Sequence, residues 1–358
     1  MKKNNVKNVL IKNNNLITYG IVILFYVVIQ IMTAAGSISS LFQGLLVPLC
    51  VYVIAAVSLN LVIGISGELS LGHAGFMCVG AYASAFFSNV VGDSMPSMLR
   101  FVLAILVGAL VAAVFGIVIG IPVMRLKGDY LAIVTLAFGE IIKNLMNILY
   151  IGKDSHGLHF ATGDISSLKM EGDGKIIVNG ALGITGTPKD STFTIGVILI
   201  LITLFIVLNL IRSRSGRAIM SIRDNRIAAE SVGINATKYR LMAFTVSASL
   251  AGVAGVLYAH NLSTLTVKKF DYNTSIMILV YVVLGGIGNI RGSIIAAVIL
   301  TALPELLRGL SDYRMLIYAI VLIIMMLFNW APAAINAKER LKENLKAVCS
   351  GRKKKEET

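Results

Sequence analysis

The side chains that could do chemistry in this chain lie inside or beside long apolar segments. Glu68 and His73 stand in segment 64–76, GISGELSLGHAGF, which also carries four glycines. Ionisable groups at membrane depth usually face a bundle interior or an aqueous cavity. A helix broken at that depth is tolerated where protein or water satisfies its backbone groups, and such helices build substrate paths.

This segment has two interpretations: its residues line a substrate path, or its glycines allow close packing of helices. Both stay open, because the same residues can do both. If the segment lines a path, the residues involved are Asn60, Gly67, Glu68, Ser70, Gly72, His73 and Gly75.

The remaining polar pairs favour structural roles. Glu140 and Lys143 are three residues apart on one predicted helix, as are Glu305 and Arg308, so each pair can neutralise itself. His156 and His159 lie in a polar loop, where solvation is more common than metal binding. The sequence has no G-x-x-x-x-G-K-[ST] phosphate loop, no HExxH and no GxSxG. We therefore expect no catalytic residues, metal or cofactor, and no enzyme.

Composition indicates a polytopic membrane protein. The chain has 358 residues, 56% hydrophobic and 14% charged, with a mean hydropathy of +0.82; soluble domains carry roughly 25% charged residues. The net charge of +14 is concentrated between apolar runs, which is typical of membrane topology and not of nucleic-acid binding. Cys50, Cys78 and Cys349 form no disulfide framework.

Apolar runs predict an all-α bundle of about ten crossings, with a re-entrant segment at 65–76 as the alternative to a full crossing there. The first run is too long for a typical signal peptide, so we expect a retained span, with cleavage as the alternative. The predicted crossings are 16–35, 41–64, 69–91, 98–122, 128–150, 193–211, 240–261, 274–290, 293–308 and 312–331.

Charge sets the predicted orientation and domains. A basic tail, 1–15, precedes a transmembrane domain, 16–337, and a second basic tail, 338–358, follows it. Both tails and the basic loop 212–239 are predicted to be cytoplasmic, whereas the acid-balanced loop 151–192 is predicted to be outside, with turns or a small hairpin.

Loop 212–239 contains RDNRIAAESVGIN, which predicts a short surface helix. Asp224 or Asn225 can cap its start and Gly233 its end, giving two to three turns, about 12–15 Å. The helix has no Trp or Phe, which a membrane-surface anchor would favour. Its alanines offer a shallow surface, with Arg223 and Arg226 at the rim, so we favour docking to a soluble partner.

The A-A-x-x-x-G pattern of this helix resembles the loop with which bacterial ABC importer permeases contact their ATPase. Four further stretches are similar to the branched-chain amino-acid (LivM-type) subfamily, and together the matches span most of 59–308. They are LNLVIGISGELSLGHAGF, RLKGDYLAIVTLAFGEIIKNL, SRSGRAIMSIRDNRIAAESVGINATKYRLMAFTVSASLAGVAGVLYAH and MILVYVVLGGIGNIRGSIIAAVIL. Ile227 stands where other importers have glutamate, and Glu68 where this subfamily often has glutamine.

The resemblance implies an inner-membrane permease subunit of an ATP-driven importer for amino acids, with leucine, isoleucine and valine as expected substrates. Its implied partners are a second permease, two ABC ATPase subunits and an extracytoplasmic binding protein. The implied ATPase-coupling residues are Arg223, Asp224, Ala228, Ala229, Glu230 and Gly233. The alternative is an ion-coupled secondary transporter or a channel for a small polar solute, which would need no ATPase.

Overall fold

The computed structural model describes residues 2–36, 39–92, 95–126, 128–154, 157–163, 168 and 174–307, with a few single residues up to 324. Eleven α-helices and a small sheet make up this part of the chain. The helices are α1 (Lys2–Ala34), α2 (Ser40–Asn60), α3 (His73–Val91), α4 (Ser97–Val123), α5 (Asp129–Ile148), α6 (Phe193–Arg212), α7 (Arg214–Asp224), α8 (Arg226–Ser231), α9 (Ala236–Ala259), α10 (Tyr272–Gly285) and α11 (Ile290–Leu306).

Seven described helices are long and apolar enough to cross a membrane: α1 to α6 and α9. They correspond to the first seven predicted crossings. At 14 and 17 residues, α10 and α11 are shorter than the roughly 20 residues of a usual span. The predicted tenth crossing, 312–331, and the tail 338–358 fall almost wholly outside the described residues. The predicted tail 1–15 is continuous with the first span in α1.

The core lies where α3, α4 and α9 approach one another closely. Gly80 of α3 faces Gly252 of α9, and a Cβ added at Gly80 would lie 2.5 Å from the Cα of Gly252. Around this contact, α2 contributes the most completely buried apolar surface. Small residues allow helix backbones this close in a membrane protein, where packing drives helix association.

The fold also contains a five-stranded antiparallel sheet, so the all-α prediction is incomplete. Its strands are β1 (Leu149–Asp154), β2 (Gly157–Thr162), β3 (Lys175–Asn179), β4 (Gly183–Thr185) and β5 (Thr264–Leu265), in the spatial order β2-β1-β3-β4-β5. The loop 151–192 was expected to form turns or a small hairpin. The β1–β2 hairpin is present, as is the turn at Asn179-Gly180, but a strand more than 75 residues further along the chain extends the sheet.

Polar side chains cap the starts of the three helices that follow α6. Ser213, Asn225 and Asn235 each accept a hydrogen bond from the backbone N–H three residues ahead, and thereby begin α7, α8 and α9. Such caps stabilise a helix by about 1 kcal/mol. The backbone then turns at Gly233, in the left-handed region at φ 86°, as the sequence predicted.

The predicted surface helix is shorter than expected. Asp224 is the last residue of α7, so it does not begin the following helix, and Asn225 separates the two. With six residues, α8 is about 9 Å long. Of the two predicted caps, Asn225 is the one that begins the helix, and α8 ends at Ser231, before the predicted end at Gly233.

The bundle has two distinguishable ends. The sheet end carries the strands, and there Tyr82 of α3 donates a hydrogen bond to the carbonyl of Leu265. The break end carries α7, α8 and the glycine-rich turn between α10 and α11, whose Gly288 donates to the Asn60 side chain at the end of α2. This turn is a tight hairpin, since only four residues separate α10 from α11.

The chain divides into two compact units, Met1–Thr301 and Ala302–Thr358. All the contacts described below lie within the first. In the second, the structure describes the end of α11 and a few single residues.

Candidate functional site

The glycine-rich segment 64–76 is the place where a membrane helix is interrupted. After α2 the chain forms one π-helical stretch, Leu61–Ser66, turns at Gly67 with φ 77°, and runs without regular structure until α3 begins at His73. We call residues 61–72 the helix break. It connects two helices that are long and apolar enough to cross a membrane, and the re-entrant segment at 65–76 stays a prediction.

Asn60 and His73 flank the break and are held inside the bundle. The Asn60 amide donates to the Ser293 hydroxyl at 2.9 Å and accepts from the Gly288 N–H at 2.9 Å. The Nε2 of His73 lies 2.6 Å from the Ser58 hydroxyl. Both side chains are fully buried. These contacts support the packing interpretation for the two residues, while a role in a path stays a prediction.

Gly72 and Gly75 bring the break against α5. The Leu71 N–H donates to the Thr135 hydroxyl at 3.0 Å, and a Cβ added at Gly75 would lie 2.8 Å from the Cα of Gly139. On the other side, the Ala74 N–H donates to the Ser275 hydroxyl of α10 at 3.0 Å. The break therefore contacts α5 directly through Leu71 and Gly72, and the first turn of α3, which follows it, contacts both α5 and α10.

Three polar side chains of the break are buried in an apolar surrounding. Ser66, Glu68 and Ser70 are 5%, 7% and 2% exposed. Glu68 forms an ion pair with Arg240 of α9. The hydroxyls of Ser66 and Ser70 have no hydrogen-bond partner among the described residues. A buried hydroxyl without a partner costs about 1–3 kcal/mol.

Arg240 is the site residue that sequence reasoning missed. It lies 172 positions from Glu68, and it was counted only as the start of a span. A signal did exist: a carboxylate at membrane depth needs a cationic partner. The choice among the available cations, however, depends on how α9 packs against the break, and spacing does not reveal that.

The short helix α8 presents a small apolar surface to its surroundings. Ile227 is 81% exposed and Val232 is 74% exposed, and Ala228 between them is also exposed. We call these three residues the α8 surface. At its edge, Arg226 and Glu230 form an ion pair at 2.9 Å, four residues apart on the helix.

Ala229 does not belong to this surface. It is 4% exposed and packs in a small cluster with Ile222 of α7 and Ala236 of α9. The sequence predicted that both alanines face outward. Consecutive residues of a helix point in different directions, so Ala229 packs against its own chain while Ala228 remains exposed to a partner.

Arg223 also points elsewhere than the sequence suggested. It was placed at the rim of a docking surface, but its Nη1 donates to the carbonyl of Gly64 in the helix break at 2.8 Å. Its Nε and Nη2 donate to Asp224 at 3.1 and 2.9 Å. Arg223 thus contacts both the helix break and the exposed side chain of Asp224.

The other polar pairs follow the sequence expectation where they are described. Lys143 donates to Glu140 at 2.7 Å. Arg308, the predicted partner of Glu305, is outside the described residues, and so is His156. The remaining loop histidine, His159, lies 2.9 Å from the carboxylate of Asp154 across the β1–β2 hairpin.

Comparison with known proteins identifies the family of this membrane-helix bundle. The family described as branched-chain amino acid transport system / permease component matches residues 40–328. The chain is 33% identical over 312 residues to the high-affinity branched-chain amino acid transport system permease protein LivM of Salmonella typhimurium, covering 83% of this chain and 70% of that one. The LivM protein of Escherichia coli is 34% identical over 311 residues, with the same coverage.

A more distant similarity is to the fructose import permease protein FruG of Bifidobacterium longum, 24% identical over 182 residues, 48% of this chain and 54% of that one. No solved structure matches the chain. The match to the first family spans the helix break, α7, α8 and every membrane-length helix after α1. The chain is accordingly a transport subunit and not an enzyme, and it belongs to the family of permease components of branched-chain amino acid transport systems.

Proposed function

We propose that this chain is the transmembrane subunit of an ATP-driven importer of branched-chain amino acids, and that its α8 surface docks on a separate ATPase subunit. The substrate proposal rests on the LivM relatives, whose names state branched-chain amino acid transport. The docking proposal rests on the exposure of Ile227, Ala228 and Val232 at a polar end of the bundle.

Charge supports an orientation in which the break end is cytoplasmic. Loop 212–239 at that end contains six Lys or Arg residues and two acids, whereas loop 151–192, which carries most of the sheet, contains four lysines and five acids. Short loops rich in Lys and Arg stay on the cytoplasmic side of a membrane. With the predicted tenth crossing at 312–331, both termini are then cytoplasmic, and the sheet is positioned to receive an extracytoplasmic binding protein.

The composition of α8 favours a protein partner over a lipid surface. A membrane-surface helix needs a long apolar face, often with Trp or Phe. The α8 surface has one isoleucine, one valine and one alanine, all within about two turns, and an ion pair at its edge. A small apolar centre with a polar rim is the usual composition of a protein interface.

In the proposed mechanism, ATP binding closes the two ATPase subunits and displaces α8 together with α7. The bundle then exchanges outward and inward access, two global states that different ligands favour. The substrate passes a path formed with a second permease subunit, close to the break, where the hydroxyls of Ser66 and Ser70 offer polar contacts.

The test is uptake of radioactive leucine by proteoliposomes that contain the assembled transporter and its binding protein. We expect uptake only with ATP on the side of α8, and no change when protonophores and ionophores dissipate ion gradients. Competition by isoleucine and valine, but not by lysine, is expected from the substrate class. Gradient-driven uptake without ATP would contradict the proposal and favour an ion-coupled transporter.

A further inference from the structure

Two arginines that flank α8 in the sequence contact the same short stretch of the helix break. Arg223 lies at the end of α7, just before α8, and Arg240 lies in the second turn of α9, just after it. Arg223 contacts Gly64, and Arg240 contacts Glu68. The segment that carries the proposed docking surface therefore contacts the break from both of its ends. The two contacted residues, Gly64 and Glu68, are four positions apart.

The contact of Arg223 with the break is built by several groups. Its Nη1 donates at 2.8 Å to the Gly64 carbonyl, which belongs to the last helical turn before the interruption, where carbonyls lack helical partners. A cation is also favoured at the C-terminal end of a helix by the helix dipole. The methylene groups of Arg223 lie over Gly67, where a Cβ would come 2.5 Å from its Cγ. Asp224 fixes the orientation of the guanidinium.

The contact of Arg240 is a buried ion pair. The side chains of Arg240 and Glu68 are 10% and 6% exposed. A second contact from Arg240 reaches the Met124 carbonyl at the end of α4, at 3.4 Å. Buried charges in low dielectric resist separation, because each would be left without a partner. Arg240 thus joins the first turns of α9 to the one acidic residue of the break.

We propose that Arg223 and Arg240 form an arginine clamp, which transmits a displacement of α8 to the helix break and so couples the ATPase to the transport path. The inference rests on the proposed function of α8. Both arginines are positioning residues, since they act through the break and do not touch substrate. Ser66 and Ser70 stand on either side of Glu68, so a displacement of the clamp would move their buried hydroxyls as well.

The contacts of α8 itself show how its motion reaches the clamp. Within α8, Ala229 is the only buried residue of the described six, and it packs against α7 and α9. Motion of α8 therefore reaches the rest of the bundle through those two helices. Arg223 and Arg240 are the residues by which α7 and α9 hold the break through charged groups.

The clamp is tested in the assembled transporter with Arg223→Gln and, as a matched control, Arg217→Gln. Arg217 is an exposed arginine of the same helix that donates to the Arg212 carbonyl and not to the break. We expect Arg223→Gln to keep the ATPase bound and hydrolysing ATP, while leucine transported per ATP falls by about ten-fold, within the range of coupling between distant sites. Arg217→Gln should behave as the wild type.

Hydrogen exchange separates a coupling role from a purely structural one. In the wild-type complex, a non-hydrolysable ATP analogue should change exchange both in α8 and in residues 61–72. In Arg223→Gln the change in α8 should remain and the change in 61–72 should be lost.

If Arg223→Gln transports as much leucine per ATP as the control, or if residues 61–72 still respond to the analogue, the clamp is wrong although the importer stands. If wild-type uptake needs no ATP, the proposed function itself has failed.

Discussion

Replacement of Ala228 by glutamate is expected to release the ATPase subunit while the permease stays folded. Ala228 is the third residue of α8 after its cap Asn225. Glutamate is favoured at that position of a helix, because it can bond back to the cap and suits the helix dipole. The substitution therefore leaves α8 intact but places an unpaired charge at the centre of the α8 surface. A cost of at least about 2 kcal/mol in binding is expected, roughly 30-fold in affinity.

The measurement is co-purification of the ATPase with a tagged permease, together with ATP-dependent leucine uptake. Lys238→Glu is the matched control, since Lys238 is exposed and occupies the same position after the cap of α9. It introduces the same side chain at the same end of the bundle without touching the α8 surface. Retention of the ATPase by Ala228→Glu at wild-type level would contradict the docking assignment.

Replacement of Gly252 by leucine is expected to leave most of the expressed molecules unfolded. A side chain at Gly252 would enter the contact of α9 with α3 and α4, where Ala112 and the backbone of Gly108 leave no space. Overpacking a core by a few methylenes already costs about 1–3 kcal/mol, and backbone neighbours cannot move aside as a flexible side chain can. We expect a loss of at least about 3 kcal/mol.

This loss would appear as a low yield of monodisperse protein in detergent and a lowered melting temperature of what remains. Gly44→Leu, in α2, is the control, because a Cβ there meets no atom within 4 Å. This control replaces a helical glycine by leucine at a position where no neighbouring helix is in close contact. Equal yields of the two variants would show that α3, α4 and α9 do not form the core as described.

Local signals predicted the parts of this fold that depend on neighbours in sequence. Asn225, Gly233 and Asn235 cap or end their helices because each acts on backbone groups two to four residues away. The glycines of 64–76 predicted an interrupted helix for the same reason. The apolar runs predicted the seven membrane-length helices, because a span is recognised from the length and composition of its own segment.

What the sequence could not give depends on packing between distant segments. The packing of α8 against α7 and α9 buries Ala229 and leaves Ala228 exposed, although the two residues have the same side chain. The partner of Glu68 is Arg240, far along the chain, and β5 joins the sheet from beyond α9. Such contacts follow from the relative placement of helices, which periodicity does not encode.

The most direct test of the account is a photo-crosslink from the α8 surface in the complete transporter. A benzophenone amino acid placed at position 227, where Ile227 is exposed, is predicted to form an adduct with the ATPase subunit on illumination. The same group at position 229, where Ala229 is buried against α7 and α9, serves as the internal comparison. Adducts of position 227 with lipid alone, in a transporter that still holds its ATPase and imports leucine, would contradict the claim that α8 is the docking helix.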